Sequence, residues 1–227
     1  MLKFLILWDI DGTILRSSGA GMASLNEALA EVFGVQGSLE GIDFAGRTDR
    51  MIIRQIFAKF GIEHTQANFD RLVEGYVQRL PSVLARSRTV VLPGVAALLG
   101  QAATRHGIAQ GLLTGNLRRG AEAKLGFHGL WGHFPVGAFA DDSEQRDELG
   151  PHALRRAAAH WGVDFPAERV WIIGDTPHDI RCARAFGARA MATATGSSGL
   201  EELRAHRPDA AFEDLGDTEA FWRVIES

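Results

Sequence analysis

Two aspartates, Asp9 and Asp11, stand two positions apart directly after an apolar run at residues 4–8. Strand side chains alternate between faces, so the two carboxylates project to the same side if the strand conformation continues that far. Like charges at short range repel, and they raise the pKa of one carboxyl unless a cation lies beside them. The pair therefore indicates a site for a hard divalent cation with oxygen ligands, most simply Mg²⁺.

Polar residues also follow three of the later apolar runs, where parallel strands are predicted to end. They are Thr114-Gly115-Asn116 after the run 109–113, Asp141-Asp142 after the run 136–139, and Asp175 with Asp179 after the run 170–173. Ligands of open parallel sheets bind beyond the carboxyl ends of the strands. Asp175 would therefore be a third acid beside the first pair, and the hydroxyl of Thr114 would face the same place, as a phosphoryl site requires.

Each of these features also has an ordinary structural explanation. Asp-Gly forms turns, the segment 114–116 could cap the next helix, and Asp175 and Asp179 could be the cap and first-turn acid of another helix. These explanations do not account jointly for an acid pair, a hydroxyl and an acid at the ends of three separate strands. Their combination favours phosphoryl chemistry.

The apolar runs and the segments between them predict the fold. The runs lie at 4–8, 109–113, 136–139, 170–173 and 188–192, with a shorter one at 210–212. Continuous apolar runs flanked by turn residues are typical of strands buried on both faces of a parallel sheet. Helix-like segments rich in Ala, Leu and Arg separate the later runs, at 121–125, 150–161 and 179–186. This alternation predicts an α/β protein with a Rossmann-like, doubly wound parallel sheet.

The interval between the first two runs is too long for a simple connection between strands. It shows helical periodicity at residues 22–33, 49–60 and 69–84, whereas a crossover helix needs only about a dozen residues. We therefore predict an inserted α-helical cap subdomain at 17–88. The core domain would then consist of residues 1–16 and 89–227.

Composition excludes several classes of function. The chain has 227 residues, 46% of them hydrophobic, one cysteine (Cys182), a formal charge of -4 and a pI of about 6.1. The opening apolar run is shorter than the roughly 7 to 15 residues of a secretory signal, and no run reaches the roughly 18 residues of a membrane span. The acidic balance argues against nucleic acid binding, and the single cysteine suits a reducing compartment. We expect a soluble, cytoplasmic protein that acts on a small molecule, with no membrane or nucleic acid partner.

Three motifs together resemble the haloacid dehalogenase superfamily, on its phosphatase side. They are DIDGT at 9–13, LLTGN at 112–116 and GDTPHD at 174–179. Their order and the helical insertion after the first motif are also similar to that family. The insertion resembles its helical cap, and GRTD at 46–49 is similar to a cap loop that reaches the active site in phosphoglycolate-phosphatase-like members.

The resemblance implies a role for each residue of the first two motifs. Asp9 would be the nucleophile that forms an aspartyl-phosphate, and Asp11 would be the general acid and then the base that activates water. Thr114 would hydrogen-bond a phosphoryl oxygen, with the amides of Gly115 and Asn116 nearby. A departing halide needs no acid, so the second aspartate favours a phosphatase over a dehalogenase.

The resemblance also implies a Mg²⁺ cofactor and a small phosphorylated metabolite as substrate. The implied metal ligands are Asp9, the backbone carbonyl of Asp11, and Asp175, with Asp179 bonded to a metal-bound water or orienting its neighbours. The implied substrate-binding residues are Gly12, Gly115, Asn116, Arg47 and Thr48. For Arg47 an exposed charge at a helix start is an equal alternative.

The family's third motif, a lysine in a Lys-Pro pair, is missing from this sequence. DDSEQRDEL stands at the corresponding place, which makes Arg146 the positional candidate for the phosphoryl-binding cation. Lys124, in the helix after the threonine motif, is the rival. The sequence does not choose between Arg146 and Lys124, and we predict that at least one of them supplies the cation.

Three functions are compatible with these residues. The first is a Mg²⁺-dependent phosphatase that hydrolyses small phosphate monoesters such as phosphoglycolate. The second is a phosphosugar mutase of the β-phosphoglucomutase type, which would share the aspartyl-phosphate. The third is a non-catalytic module that binds Mg²⁺ and phosphate, although modules of that kind lack a long helical insertion.

Overall fold

The structure of the protein, a computed structural model, describes residues 2–227. The strands in that part are β1 (Phe4–Trp8), β2 (Leu15–Arg16), β3 (Val90–Val91), β4 (Ile108–Leu113), β5 (Gly137–Ala138), β6 (Val170–Gly174), β7 (Arg189–Thr193) and β8 (Ala210–Phe212). The α-helices are α1 (Ala20–Phe33), α2 (Asp49–Phe60), α3 (Gln66–Arg86), α4 (Val95–Thr104), α5 (Arg118–Phe127), α6 (Leu149–Trp161), α7 (Pro177–Ala185), α8 (Leu200–Ala205) and α9 (Thr218–Ile225).

Six of these strands form a parallel sheet in the order β5-β4-β1-β6-β7-β8. β1 lies between β4 and β6, where Leu5 is paired with Ala109 on one side and with Val170 on the other. Helices connect the strands, as parallel pairing requires. The predicted Rossmann-like α/β fold is confirmed, and its first strand lies inside the sheet.

The position of β1 explains why the chain opens with an uninterrupted apolar run. Ile6 and Trp8 face one side of the sheet, where the Trp8 ring stacks on Phe221 of α9 at 5.7 Å between centroids. Leu5 and Leu7 face the other side and join a separate hydrophobic cluster. Both faces of the strand are therefore covered, and polar side chains appear only where the strand ends.

The helices α1, α2 and α3 pack against each other around a third hydrophobic cluster, which includes Leu29, Phe57 and Leu72. Glycines in the left-handed conformation end α1 and α2. The antiparallel pair β2 and β3 joins the chain entering this insertion to the chain leaving it. These features support the predicted division into a core of 1–16 and 89–227 and a cap of 17–88, which stays a prediction.

Some elements differ from the sequence-based expectation. The helix α4 was not predicted, because its segment VAALLGQAAT has no charged residue to mark a solvent face. The run 136–139 contributes only two paired residues to the sheet. Within residues 2–227, none of the helices combines the length and the apolarity that crossing a membrane requires.

Truncation of a β1 side chain tests how far stability depends on this strand. Leu7 is 0% exposed, so we expect Leu7→Ala to lower the free energy of unfolding by about 2–5 kcal/mol through lost burial and a residual cavity. Urea denaturation followed by circular dichroism measures the change. Val90→Ala, at a side chain that is 47% exposed, is the control and should cost less than about 1 kcal/mol. Equal losses in the two variants would contradict the central position of β1.

Candidate active site

A pocket of about 500 Å³ opens at the carboxyl ends of β1, β4 and β6. The core contributes Asp9, Asn116 and Asp175 to its lining, and the helical insertion contributes Arg47 and Ile52. Asp9, Asn116 and Asp175 come together because parallel strands end at one edge of the sheet. The pocket therefore lies where the sequence predicted a site.

Three buried carboxylates form an acidic cluster, and two of them, Asp9 and Asp175, line this pocket. Oxygen atoms of Asp9, Asp175 and Asp179 lie within 4.8 Å of one another. The hydroxyl of Thr13 donates to Oδ1 of Asp175 at 3.3 Å. Gly12 has a φ of +83°, and a β-carbon at this position would overlap the Asp175 carboxylate. Glycine at position 12 therefore leaves room for the Asp175 carboxylate, which follows β6.

The guanidinium of Arg146 is the cation that faces this acidic cluster. Its Nη2 lies 3.1 Å from Oδ1 of Asp9 and also pairs with Asp179, while its Nη1 donates to the carbonyl of Gly46 at 3.3 Å. Its buried Nε has no hydrogen-bond partner among the described residues. The Nε–H is therefore a buried donor that the described protein atoms leave unsatisfied.

Charge in the acidic cluster is not balanced by the protein alone. Burial raises the pKa of Asp9 to about 6, because Arg146 and the Thr114 hydroxyl offset the loss of solvation only in part. Burial and the neighbouring carboxylates Asp179 and Asp9 raise the pKa of Asp175 as well. When ionised, three carboxylates against one guanidinium leave two net negative charges. Oxygen ligands with this charge suit a divalent cation.

Asp179 also fulfils the structural explanation considered for it. Its Oδ2 accepts the backbone N–H of Thr176 at 3.0 Å and the Thr176 hydroxyl at 2.8 Å, in a capping box at the start of α7. Its other oxygen, Oδ1, is paired with Arg146. The capping interaction therefore orients Asp179 toward the cluster, so the two explanations are compatible.

Asp11 lines the same pocket as Asp9 but is outside the acidic cluster. β1 ends at Trp8, before both aspartates, so strand alternation does not determine where their side chains project. The Asp11 carboxylate accepts hydrogen bonds from Ser17 Oγ at 2.6 Å, Asn116 Nδ2 at 2.9 Å and Lys124 Nζ at 2.5 Å. Its predicted contribution to a metal site through the backbone carbonyl stays a prediction.

The environment of Asp11 lowers its pKa instead of raising it. Burial alone would raise the pKa, but the ammonium of Lys124 and the donors Ser17 and Asn116 outweigh that effect. Burial likewise opposes the charge of Lys124, yet the facing Asp11 keeps the lysine pKa above its usual value. Both cations predicted for the third motif are thus at the site, on different carboxylates.

The threonine motif forms a tight loop at the end of β4. The Thr114 hydroxyl accepts hydrogen bonds from the backbone N–H of Asn116 at 3.3 Å and from its Nδ2 at 2.9 Å. The side-chain oxygen of Asn116 accepts from Lys124 Nζ at 2.6 Å. A β-carbon at Gly115 would overlap the carbonyl oxygen of Arg47, so glycine allows the insertion to approach the loop this closely.

The two cap-loop residues predicted to bind substrate have different surroundings. Arg47 lines the pocket and is about one third exposed, with its Nε paired to Asp43 at 2.8 Å. The buried Thr48 hydroxyl caps α2 by accepting from Met51 N at 3.3 Å, and it donates to the carbonyl of Glu144 at 2.6 Å. Arg47 can therefore reach a ligand, whereas the Thr48 hydroxyl is already used within the protein.

Sequence reasoning gave no role to several polar residues that contact the site. Asp49 follows Thr48 in the cap loop and accepts a hydrogen bond from Leu117 N at 2.7 Å. Burial raises the pKa of Asp49 to about 6, although Lys124 and that amide act in the opposite direction. The GRTD motif included Asp49, but the signal for its role is a contact between segments distant in sequence.

The acid pair after β5 stabilises the loops around the pocket. Asp141 Oδ2 accepts the backbone N–H of Arg118 at 2.6 Å, at the start of α5. Asp142 forms an ion pair with Arg156 at 2.6 Å and accepts from Phe139 N at 3.0 Å. The Arg156 guanidinium and these hydrogen bonds hold the pKa of Asp142 below its usual range despite partial burial. Neither acid belongs to the acidic cluster.

Comparison with known proteins gives consistent matches. The sequence pattern of haloacid dehalogenase-like hydrolases matches residues 6–184. The phosphoglycolate phosphatase of Rhodospirillum rubrum is 30% identical over 229 residues, covering 93% of this chain and 89% of that protein. The pyrophosphatase PpaX of Bacillus pumilus is 26% identical and covers 93% of each chain. CbbY of Rhodobacter sphaeroides, solved with phosphate, has the same fold with a TM-score of 0.76 at 21% identity, covering 96% of each chain.

Removal of one acid from the cluster should stabilise the metal-free protein. A carboxyl whose pKa is raised in the folded state destabilises that state when ionised, so its contribution to stability is lost as the pH rises. At pH 7 in EDTA we expect Asp175→Asn to increase the free energy of unfolding by at least about 1 kcal/mol, measured by urea denaturation. The exposed Asp164→Asn is the matched control. A destabilised Asp175→Asn would show that the three acids are not in mutual conflict.

Proposed function

Because the chain belongs to the haloacid dehalogenase-like hydrolase family and is a phosphoric monoester hydrolase, we propose that it hydrolyses small phosphate monoesters through an aspartyl-phosphate on Asp9. The observation that carries this proposal is the buried Asp9 carboxylate, which lines the pocket 3.1 Å from Arg146. A phosphoglycolate-like substrate is favoured, since a relative at 30% identity is named for that activity.

The reaction has two half-steps on this carboxylate. An oxygen of Asp9 forms a bond to phosphorus while the bond from phosphorus to the leaving oxygen breaks, and Asp11 gives a proton to that oxygen. Asp11 then takes a proton from water, whose oxygen forms a bond to phosphorus while the bond between phosphorus and the Asp9 oxygen breaks. Inorganic phosphate leaves, and Asp9 is restored.

A divalent cation, proposed as Mg²⁺, fits the acidic cluster. Asp9, Asp175 and Asp179 offer oxygen ligands with surplus negative charge, and the carbonyl of Asp11 is the additional ligand that the family resemblance implies. When bound, the ion would neutralise charge on the phosphoryl oxygens. The residues around the cluster hold the three carboxylates in place, so the ligands need little rearrangement to bind it.

Arg146, and not Lys124, is proposed as the cation of the missing third motif. Arg146 contacts the proposed nucleophile Asp9 and also lines the pocket. Lys124 instead contacts Asp11 and Asn116. Its ammonium favours the ionised form of Asp11, which is the form that accepts a proton from water. The contact between Lys124 and Asp11 must lengthen in the first half-step, when Asp11 carries a proton.

A phosphosugar mutase is the second candidate function. A phosphosugar mutase would use the same aspartyl-phosphate but would return the phosphoryl group to a sugar, so release of inorganic phosphate separates the two activities. Arg16 and Arg47 also line the pocket, and their positive charges suit an anionic substrate of either kind. A cytoplasmic location rests on the single cysteine and is a prediction.

Loss of the nucleophile should abolish turnover. We expect Asp9→Asn to lower hydrolysis of 4-nitrophenyl phosphate with Mg²⁺ by at least about 10³-fold, because the amide cannot form the phosphoenzyme. Acid quenching with ³²P-labelled substrate should trap label on the wild type and none on Asp9→Asn. Asp164→Asn, at an exposed position, should retain full activity. Metal-dependent hydrolysis by Asp9→Asn would refute the mechanism.

Competitive inhibition by inorganic phosphate separates the two candidate cations. We expect Arg146→Met to weaken phosphate inhibition by about 10-fold or more, since a hydrogen bond to a charged group typically contributes about 1.5–3 kcal/mol. Lys124→Met should change it by less than about 3-fold, because Lys124 contacts Asp11 and Asn116. Circular dichroism checks that both variants are folded. The opposite order of effects would assign the third motif to Lys124.

A further inference from the structure

One residue of the insertion, Asp49, holds the loop that follows β4 from two directions. Its backbone N–H donates to the carbonyl of Gly115 at 2.7 Å. Its side-chain Oδ2 accepts the backbone N–H of Leu117, also at 2.7 Å. The loop between these two bonds carries Asn116, whose amide belongs to the proposed phosphoryl site. A contact between insertion and core is therefore also a contact with the reaction centre.

The side chain of Asp49, which belongs to α2, accepts a hydrogen bond at the start of α5 and so acts as a cap for that helix. Leu117 is the N-cap residue of α5 and has no side chain that could accept a hydrogen bond. Backbone N–H groups at a helix start need external acceptors, and the positive end of the helix favours a carboxylate. Asp49 satisfies the N–H of Leu117, and Asp141 satisfies that of Arg118. Without Asp49 the first of these donors would lose its acceptor.

The backbone bond determines which way the next amide points. A trans peptide directs its carbonyl and its N–H to opposite sides. Because the Gly115 carbonyl is held toward Asp49, the N–H of Asn116 points the other way, where it meets the Thr114 hydroxyl at 3.3 Å. The Thr114 oxygen also accepts from Asn116 Nδ2, which leaves its own proton for a neighbouring acceptor.

The cap loop and the loop after β4 approach each other closely at Gly115. A β-carbon at Gly115 would overlap the carbonyl oxygen of Arg47, so a larger residue would separate the cap loop from the core loop. Arg146 donates to the carbonyl of Gly46 in the same cap loop, and its Nη1 would lie 3.2 Å from a β-carbon at Gly115. The cap loop, the threonine-motif loop and the proposed phosphoryl-binding arginine thus meet at one place.

We propose that Asp49 is a positioning residue that couples docking of the insertion to assembly of the phosphoryl-binding loop. When Asp49 contacts the loop after β4, the backbone N–H of Asn116 and the hydroxyl of Thr114 are oriented for a phosphoryl oxygen. With Asp49 undocked, the peptide between Gly115 and Asn116 loses the hydrogen bond to its carbonyl and keeps only the longer contact of its N–H with Thr114. This inference rests on the proposed function, and it gives the insertion a part in building the site.

Kinetics of three variants test the coupling. We expect Asp49→Ala to lower kcat for 4-nitrophenyl phosphate by about 10-fold or more and to weaken inhibition by inorganic phosphate, as expected for a misplaced donor. Asp49→Asn keeps an acceptor oxygen and should restore kcat to within about 3-fold of wild type, since Asn caps helices about as well as Asp.

Arg54→Ala is the matched control for loss of a contact between insertion and core. Arg54 lies on the same helix, α2, and its Nη2 pairs with Glu144 at 2.6 Å, away from the loop after β4. We expect kcat and phosphate inhibition to change by less than about 3-fold, as for an exposed ion pair. Similar kinetics for Asp49→Ala and Arg54→Ala would overturn the proposal.

Hydrogen exchange in the wild type keeps the proposal testable if Asp49→Ala does not fold. Coupling is reciprocal, so inorganic phosphate with Mg²⁺ should slow exchange of the Leu117 amide, which Asp49 protects. Unchanged exchange at Leu117 when phosphate is bound would overturn the coupling. A wild type without phosphatase activity would instead refute the proposed function, which distinguishes the two failures.

Discussion

Burial of like charges is the constraint on which the rest of this structure depends. Asp9, Asp175 and Asp179 are brought within 4.8 Å by two strand ends and one helix start, and burial raises the pKa of the first two. Isolated charges in such a place would neutralise. Arg146 provides one positive charge, and the remaining negative charge suits a divalent cation. Burial of these like charges thus reduces stability locally, at the pocket.

The residues around the cluster keep these charged groups away from solvent and fix their orientations. Gly12 makes room for Asp175, and the capping box of Asp179 with Thr176 orients the third acid. Lys124 confines Asp11 to a second, separate ion pair. The site therefore contains two charge systems, one around Asp9, the proposed nucleophile, and one around Asp11, the proposed acid and base. Their separation allows one carboxyl pKa to rise while the other falls.

Sequence patterns predicted the sheet well because buried parallel strands have a strong compositional signal. The runs beginning at Phe4 and at Val170 became β1 and β6 with almost the predicted bounds. The uncharged helix α4 was missed, since a helix without a polar stripe lacks the periodicity that identifies it. Strand alternation also could not determine the relative placement of Asp9 and Asp11, because β1 ends at Trp8, before both residues.

By itself the sequence determined the family, the type of fold and the acids at the strand ends, because motif spacing and apolar runs are local properties of the chain. Tertiary structure alone decided which cation faces which carboxylate. Arg146 and Lys124 are far from Asp9 and Asp11 in sequence, and only folding shows that Arg146 meets Asp9 while Lys124 meets Asp11. The contact of Asp49 with the loop after β4 is likewise absent from any local pattern. Pairing across distant segments depends on packing, which no single stretch of sequence encodes.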